Sequence, residues 1–438
     1  VVSSWDRRSA AEQTTIAEAA LRSQVTDRLA RFSPYWRETV RGAGVRVADL
    51  HGLADLGRIP AVGERDLCPD GDPAGAARLV LQVDEADFAS HAADGAGFRR
   101  ALGQRFTSPG RYRRTVSAAV RPVTYHLGGL ALPLPIASTR NDLDLVARAG
   151  ARLWQVLGLG PADVLVSALP SADRLAGFAL PYAALGAAAP AIQAGLHGAA
   201  QALDLLPATV LAVEDAAMLD ALLDLRSDVL PDTVRTVLVT GDPVGVLDLA
   251  GDVRVLRVWG PAEARWLWAE CAPGSGLHTY PDLEVLEVLD PATGDRAQEG
   301  ELALTQLGTY GSALVRWRTG AVVSGLEVGD CRHCGRTVPR VAPDLVAGAL
   351  LVAAEVAGRD ELLDLRAVAG ALAGRDDLDG WVVEVRHTRG VSRVVVRVAP
   401  AGPDAAVESY ADIEAVAGCG PTQVVVDPGV RGLATIAR

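Results

Sequence analysis

Val234-Arg235-Thr236-Val237-Leu238-Val239 and Val253-Arg254-Val255-Leu256-Arg257-Val258 are short runs rich in Val and Leu, flanked by proline and glycine. Branched side chains pack well on a pleated surface and lose χ1 freedom in a helix, so runs of this length predict strands. Val164-Leu165-Val166 repeats the pattern upstream, and 142–192 reads as helix, strand, helix and a further apolar run near Ala189. Short apolar strands alternating with helices predict a parallel sheet in α/β layers. Nearer the start, Ile16, Ala19, Leu21, Val25, Leu29 and Phe32 recur at helical spacing over 10–32, and the polar stretch 70–75 reads as a loop. After about residue 300 the pattern turns to strand and turn (301–307, 314–318). The last segment combines a helix over 361–373 with alternating strands at 381–386 and 392–398. No internal repeat is visible.

A chain of 438 residues is too long for one core, so two domains are expected: a large one over 1–340 and a small α+β one over 341–438. The net charge of −12 argues against a partner that is nucleic acid, which calls for a basic face. The apolar stretch 345–357 is interrupted by Glu355 and too short to span a bilayer, so no membrane partner is expected. Residues 1–7 lack a basic segment leading into an apolar run, and five scattered cysteines do not make a disulfide scaffold; both point to a cytoplasmic protein. Lysine is absent: all 42 residues counted as Lys+Arg are arginine. The planar, diffuse guanidinium does not replace an ammonium point charge, so chemistry that depends on lysine is excluded.

Cys331-Arg332-His333-Cys334-Gly335 has the two-residue gap that lets both thiolates reach one tetrahedral metal. Cys271 and His278, ahead of a turn at Pro281-Asp282, supply a second half-site, and the set Cys271, His278, Cys331 and Cys334 would close a structural Cys₃His zinc site. Two alternatives stay open: a buried core thiol at Cys271 beside a reduced cysteine pair, and His333 in place of His278.

Leu277-His278-Thr279-Tyr280-Pro281-Asp282, then 301–307, then Arg316-Trp317-Arg318-Thr319-Gly320, then 331–336, occur in an order that strongly resembles phenylacetate–CoA ligase-like members of the adenylate-forming (AMP-binding) superfamily. Upstream, 35–66 resembles the family's entry segment and 139–144 its helix entry after the phosphate loop. Thr240-Gly241-Asp242-Pro243 resembles its GGEP turn, and Trp259-Gly260-Pro261-Ala262-Glu263 its YGxSE motif. The similarity spans roughly 30–345. It implies the adenylate-forming fold, a large layered α/β domain plus a small α+β lid, and often a homodimer. Some relatives carry a comparable Cys/His site.

The family's activity, as the resemblance implies, joins a carboxylate to the α-phosphate of ATP and passes the acyl group to a thiol. Such chemistry needs donors around the phosphates, a cation and a carboxylate for Mg²⁺. Here the phosphate-loop positions read His126-Leu127-Gly128-Gly129-Leu130-Ala131-Leu132-Pro133, without a hydroxyl or a lysine. The ribose-binding aspartate falls at Ala321, after Thr319 and Gly320; each lost charged hydrogen bond is worth about 1.5–3 kcal/mol. Toward the end of the chain, where relatives place a lysine, the nearest cation is Arg431. Gly128, Gly241, Asp242, Thr319, Gly320 and Ala321 therefore mark a degenerate nucleotide site, with ATP and Mg²⁺ doubtful as cofactors. Glu263, at the Mg²⁺-ligand position, is retained.

These readings favour a repurposed small-molecule enzyme of a biosynthetic pathway. His126 is its candidate general base, Glu263 and Arg318 are its other candidate catalytic groups, and Tyr125, Asp173, Arg174, Tyr182 and Trp259 are candidate pocket residues. Alternatives are a non-catalytic pseudo-ligase that binds a metabolite, a carrier protein or a pathway enzyme, and an active ligase with atypical motifs.

Overall fold

The computed structural model describes residues 4–69, 71–83, 108, 120–129, 132–170, 174–226, 230–241, 252–291, 293–343, 345, 351–356, 359–365, 368, 372, 375, 377–388, 391–401, 423–427 and 433–437. The chain forms two compact units. The first comprises Val1–Val285, Leu304–Trp317 and Glu327–Pro343; the second comprises Leu286–Ala303, Arg318–Leu326 and Asp344–Arg438. Residues 286–303 and 318–326 fall with the second unit.

In the first unit, β1 (Pro122–Gly128) and β2 (Leu134–Thr139) form an antiparallel pair in which His126 lies opposite Ile136. A nine-stranded sheet follows. Its parallel half is built from β3 (Leu165–Ser167), β4 (Ala191–Gln193), β5 (Val210–Val213), β6 (Thr236–Val239) and β7 (Arg254–Trp259), in the order β4-β3-β5-β6-β7. The Val- and Leu-rich runs 234–239 and 253–258 form β6 and β7. Every residue of β5 and β6 is buried, as a parallel sheet covered by helices on its faces requires. Leu211, Val213, Val237 and Val239 share a core with Leu203, Leu219 and Leu222 from the helices Gly195–Leu205 and Ala216–Asp224. Full burial of each such side chain stabilises by about 1.5–3 kcal/mol.

The sheet then turns antiparallel through β8 (Trp268–Ala269), β9 (Leu277–His278) and β14 (Arg340–Val341), with β13 (Leu326–Glu327) at its edge. The helix Arg140–Val156 starts on a Thr139/Asp142 capping box and packs closely against Leu175–Gly186. A Cβ at Gly150 would lie 2.2 Å from the Ala183 Cα, and one at Gly186 would lie 1.9 Å from the Ala147 carbonyl oxygen. Only glycine permits that approach, and it fixes where the aromatic face of the second helix sits.

The helix expected over 10–32 forms, but its path changes over Gln24–Leu29, where the turns are π-helical. The buried positions are Gln13, Ala17, Leu21, Gln24, Val25, Leu29 and Phe32, whereas Ala19 is exposed. A π-turn adds residues to the winding and rotates the apolar face.

The second unit contains most of a three-stranded sheet made of β10 (Glu284–Leu289), β11 (Gly300–Gln306) and β12 (Trp317–Val323), with β11 in the middle. It also holds the pair β15 (Leu351–Val356) and β16 (Arg359–Asp364). A four-stranded sheet completes it, from β17 (Leu378–Thr388), β18 (Val391–Pro400), β19 (Gln423–Val426) and β20 (Leu433–Ala437). The alternating pair at 381–386 and 392–398 is the β17–β18 hairpin, with Arg386 opposite Arg393. The helix expected over 361–373 is corrected at its start: 359–364 is strand, held by antiparallel pairing of Leu351 with Asp364 through Val356 with Arg359. Among the described residues, no helix is long and apolar enough to cross a membrane.

Candidate functional site

At the antiparallel end of the nine-stranded sheet, four side chains separated by up to 63 positions in sequence converge. The ligand atoms of Cys271, His278, Cys331 and Cys334 all lie within 4.8 Å of one another. Strand pairing builds half of this: His278 on β9 lies opposite Ala269 on β8 and Arg340 on β14. The other half is the turn 331–335, closed by the Gly335 N–H donating to the Cys331 carbonyl at 2.8 Å, with Gly335 at a φ of +65°. The Cys271 and Cys331 sulfurs are 3.6 Å apart, and the Cys334 sulfur is 3.3 Å from His278 Nε2. A tetrahedral zinc with ordinary bond lengths would set these edges at about 3.8 and about 3.5 Å.

The imidazole is already aimed. Its Nδ1 lies 3.2 Å from the Ala269 carbonyl, a contact that puts the proton on Nδ1 and leaves the Nε2 lone pair for a ligand role. Burial brings His278 down to about 4, with Arg336 and Arg340 adding to the effect, so the ring is neutral near pH 7. Burial pushes the Cys271 thiol up to about 12. In Cys331 burial also raises the thiol, but the backbone N–H groups of Cys334 and His333 outweigh it and bring the group down. The donor set, its closure and its neutral imidazole fit a structural cation without an open position. His333, the alternative ligand, is exposed and is not among the converging groups.

A second set of polar groups surrounds the loop after β1. Side chains alternate along this strand: Tyr125 is 56% exposed, whereas His126 is 1% exposed. The two point to opposite faces, so they do not line one pocket. The His126 ring stacks on Phe178 at 4.8 Å, and Phe178 in turn meets Tyr182 at 5.3 Å. The Ala262 and Ala264 carbonyls lie near the imidazole, yet neither ring nitrogen makes a well-formed hydrogen bond. Burial, and then the Arg265 charge, bring His126 down to about 3. A group so weakly basic is a neutral buried ring near pH 7, far from the range in which a general base works best.

Glu263 is also buried, and its Oε2 has no hydrogen-bond partner. Burial and then the Glu64 charge push it up to about 8, against the pull of nearby N–H groups on Glu263 itself, Trp317 and Gly129. Glu64, which is not among the predicted site residues, is buried and accepts a hydrogen bond from the Leu132 N–H at 3.1 Å. The loop is pressed onto these groups. A Cβ at Gly128 would lie 2.9 Å from the Glu263 Cα, and one at Gly129 would lie 1.9 Å from the Leu132 carbonyl oxygen. Arg265 is fully buried and donates to Ser138 Oγ, Gln306 Oε1 and the Ala137 and Ser312 carbonyls, tying β2 to the segment 306–312.

The remaining predicted residues are dispersed. Arg174 pairs with Glu214 at 3.5 Å on the surface, and Trp259 packs against Trp268 at 5.7 Å. The Gly241 N–H donates to the Glu214 carbonyl. In the second unit, Arg318 is engaged by the buried Glu301 at 2.7 Å and by the Pro291 carbonyl at 2.6 Å. Thr319 donates to the Leu302 carbonyl, the Gly320 N–H donates to Glu301, and Ala321 is fully buried. Asp173, Asp242, Leu130, Ala131 and Arg431 lie outside the described residues. One further carboxylate had no sequence signal. Buried Glu284 accepts from the Trp266 and Trp268 indoles at 2.7 Å each and from the Tyr280 N–H at 2.9 Å, while burial pushes it up to about 7.

No protein-family model matches the chain, and no curated protein matches it. Among solved structures, it is similar to 2-hydroxyisobutyryl-CoA ligase in complex with 2-HIB-AMP and CoA in the thioesterification state. The TM-score is 0.60 at 18% identity, over 99% of this chain and 91% of the ligase. An open conformation of the same ligase with the same ligands gives a TM-score of 0.58 at 19% identity, over 97% and 90%. The chain has the mixed α/β fold of the adenylate-forming ligases, with a smaller C-terminal domain.

Proposed function

We propose that this chain is a phenylacetate–CoA ligase-like member of the adenylate-forming superfamily that has given up ATP-dependent adenylation, and that it handles a small carboxylate or aromatic metabolite in a biosynthetic pathway. One observation carries the loss of adenylation: Gly128 and Gly129 close directly onto Ala262, Glu263 and Leu132, beside the two buried carboxylates Glu64 and Glu263. A triphosphate needs donors and cations at that place, and burying its charge against carboxylates is strongly unfavourable. The test is carboxylate-dependent ATP–pyrophosphate exchange by the purified chain across aliphatic and aromatic acids. No exchange above background is expected, and clear exchange with any acid would overturn the proposal.

The non-catalytic form of this reading, a pseudo-ligase that binds a metabolite or a partner protein, draws support from the state of the candidate catalytic groups. His126 is buried and only weakly basic, and Arg318 is committed to Glu301. Cys271, His278, Cys331 and Cys334 would hold a structural zinc, which when bound supplies cross-linking rather than reactivity.

A further inference from the structure

We infer that the Cys/His site is a metal-dependent clamp for residues 5–13, so that metal occupancy decides whether this segment is docked. The inference rests on the zinc reading above. The residues that grip the segment directly follow the ligands in sequence. Arg336, two positions after Cys334, has its Nε 3.0 Å from Asp6 Oδ2, and the Asp6 side chain is only 1% exposed. The same guanidinium donates through Nη2 to the Gln155 carbonyl.

Thr337 completes the grip. Its N–H donates to the Asp6 carbonyl at 2.9 Å, and its hydroxyl donates to the Arg8 carbonyl at 2.6 Å. Gln13 Nε2 donates back to the Arg8 carbonyl at 2.9 Å and lies 3.0 Å from the Thr337 hydroxyl. On the other side, Tyr280, two positions after His278, packs its ring 5.6 Å from that of Trp5, while the Arg152 guanidinium lies 4.7 Å over the same indole.

Residues 331–337 are a turn with few apolar anchors, so their geometry depends on what holds the two sulfurs at 331 and 334. A buried carboxylate stays docked only while its counter-ion is in register, because leaving it unpaired is strongly destabilising. Removing the cation therefore loosens the turn, displaces Arg336 and Thr337, and frees Asp6 together with the residues that follow it.

The experiment is native-state hydrogen exchange on the full chain, loaded with zinc and then stripped with a chelator, with zinc content measured in both states. In the stripped protein the amides of residues 6–13 and of Thr337 should exchange at least tenfold faster, while those of β5 and β6 keep their protection. Asp6→Asn should give the faster exchange over 8–13 with zinc still bound. If zinc leaves and the segment keeps its protection, or if Asp6→Asn leaves its exchange unchanged, the clamp is overturned while the metal site stands. A chain that takes up no zinc overturns both.

Discussion

The Cys/His cluster and the loop after β1 both gather buried polar atoms, and they do so to opposite effect. In the cluster each atom has a complement: sulfurs at tetrahedral spacing, an imidazole oriented by the Ala269 carbonyl, and a glycine turn that closes the knuckle. Around the loop both His126 nitrogens and Glu263 Oε2 are buried without a well-formed hydrogen bond. Buried polar groups are ordinarily satisfied, so the first region has the character of a site under construction for a ligand. The second leaves its buried groups enclosed without well-formed partners.

The sharpest test of that contrast is Cys334→Ser. It should abolish zinc binding, measured by elemental analysis, and lower the unfolding free energy in denaturant by roughly 4 kcal/mol or more, as loss of a structural metal does. An unchanged midpoint would make the cluster an ordinary group of core thiols.

The loop region should respond in the other direction. The folded-state value of Glu263 is raised from 4.5 to about 8, so the folded protein binds the proton more tightly than the unfolded chain does. Stability from this group is therefore present at low pH and is lost as the pH rises from about 4.5 through 8. Glu263→Gln should be more stable than the parent by about 3 kcal/mol more at pH 8 than at pH 5. A pH-independent difference would remove the stranded-carboxylate account.

His126 gives the smaller and mirror-image effect. Its folded value is depressed from 6.5 to about 3, so the unfolded chain binds the proton preferentially, and stability is lost as the pH falls below about 6.5. His126→Leu should recover about 2 kcal/mol at pH 4.5 relative to pH 7, read from denaturant midpoints at the two pH values. Equal midpoint shifts at both would mean that the ring has a partner in solution.

How far the two regions could be foreseen differs for physical reasons. Cys331-x-x-Cys334 is local, and its spacing alone states its geometry. Cys271 and His278 were readable as a half-site, but their meeting with the knuckle depends on the β8–β9–β14 register, which is non-local. Strands β6 and β7 were legible because their Val- and Leu-rich runs are buried over most of their length. Strand β16 was not, since Leu362, Leu363 and Leu365 suit a helix equally well and only pairing with β15 decides. The rotation at Gln24–Leu29 leaves no mark in a simple 3.6-residue period.

Around the loop, the Gly- and Leu-rich run 126–133 was legible, while its packing was not. Nothing near Glu64 signals that its carboxylate comes to the Leu132 N–H and to Glu263. Likewise, Tyr125 and His126 are neighbours in sequence, and the pleat alone sends them to opposite faces.

The closure of Gly128 onto Glu263 also limits which substitutions the loop can accept. A side chain placed at 128 would put its Cβ 2.9 Å from the Glu263 Cα and 3.1 Å from the Ala262 carbonyl oxygen, so it would have to displace main chain rather than the end of a flexible side chain. At 129 a side chain is excluded twice over, by a φ of +87° and by the Leu132 carbonyl oxygen 1.9 Å from where its Cβ would lie. Two adjacent positions at the end of β1 are thereby closed to side chains, and what faces Glu263 there is backbone alone.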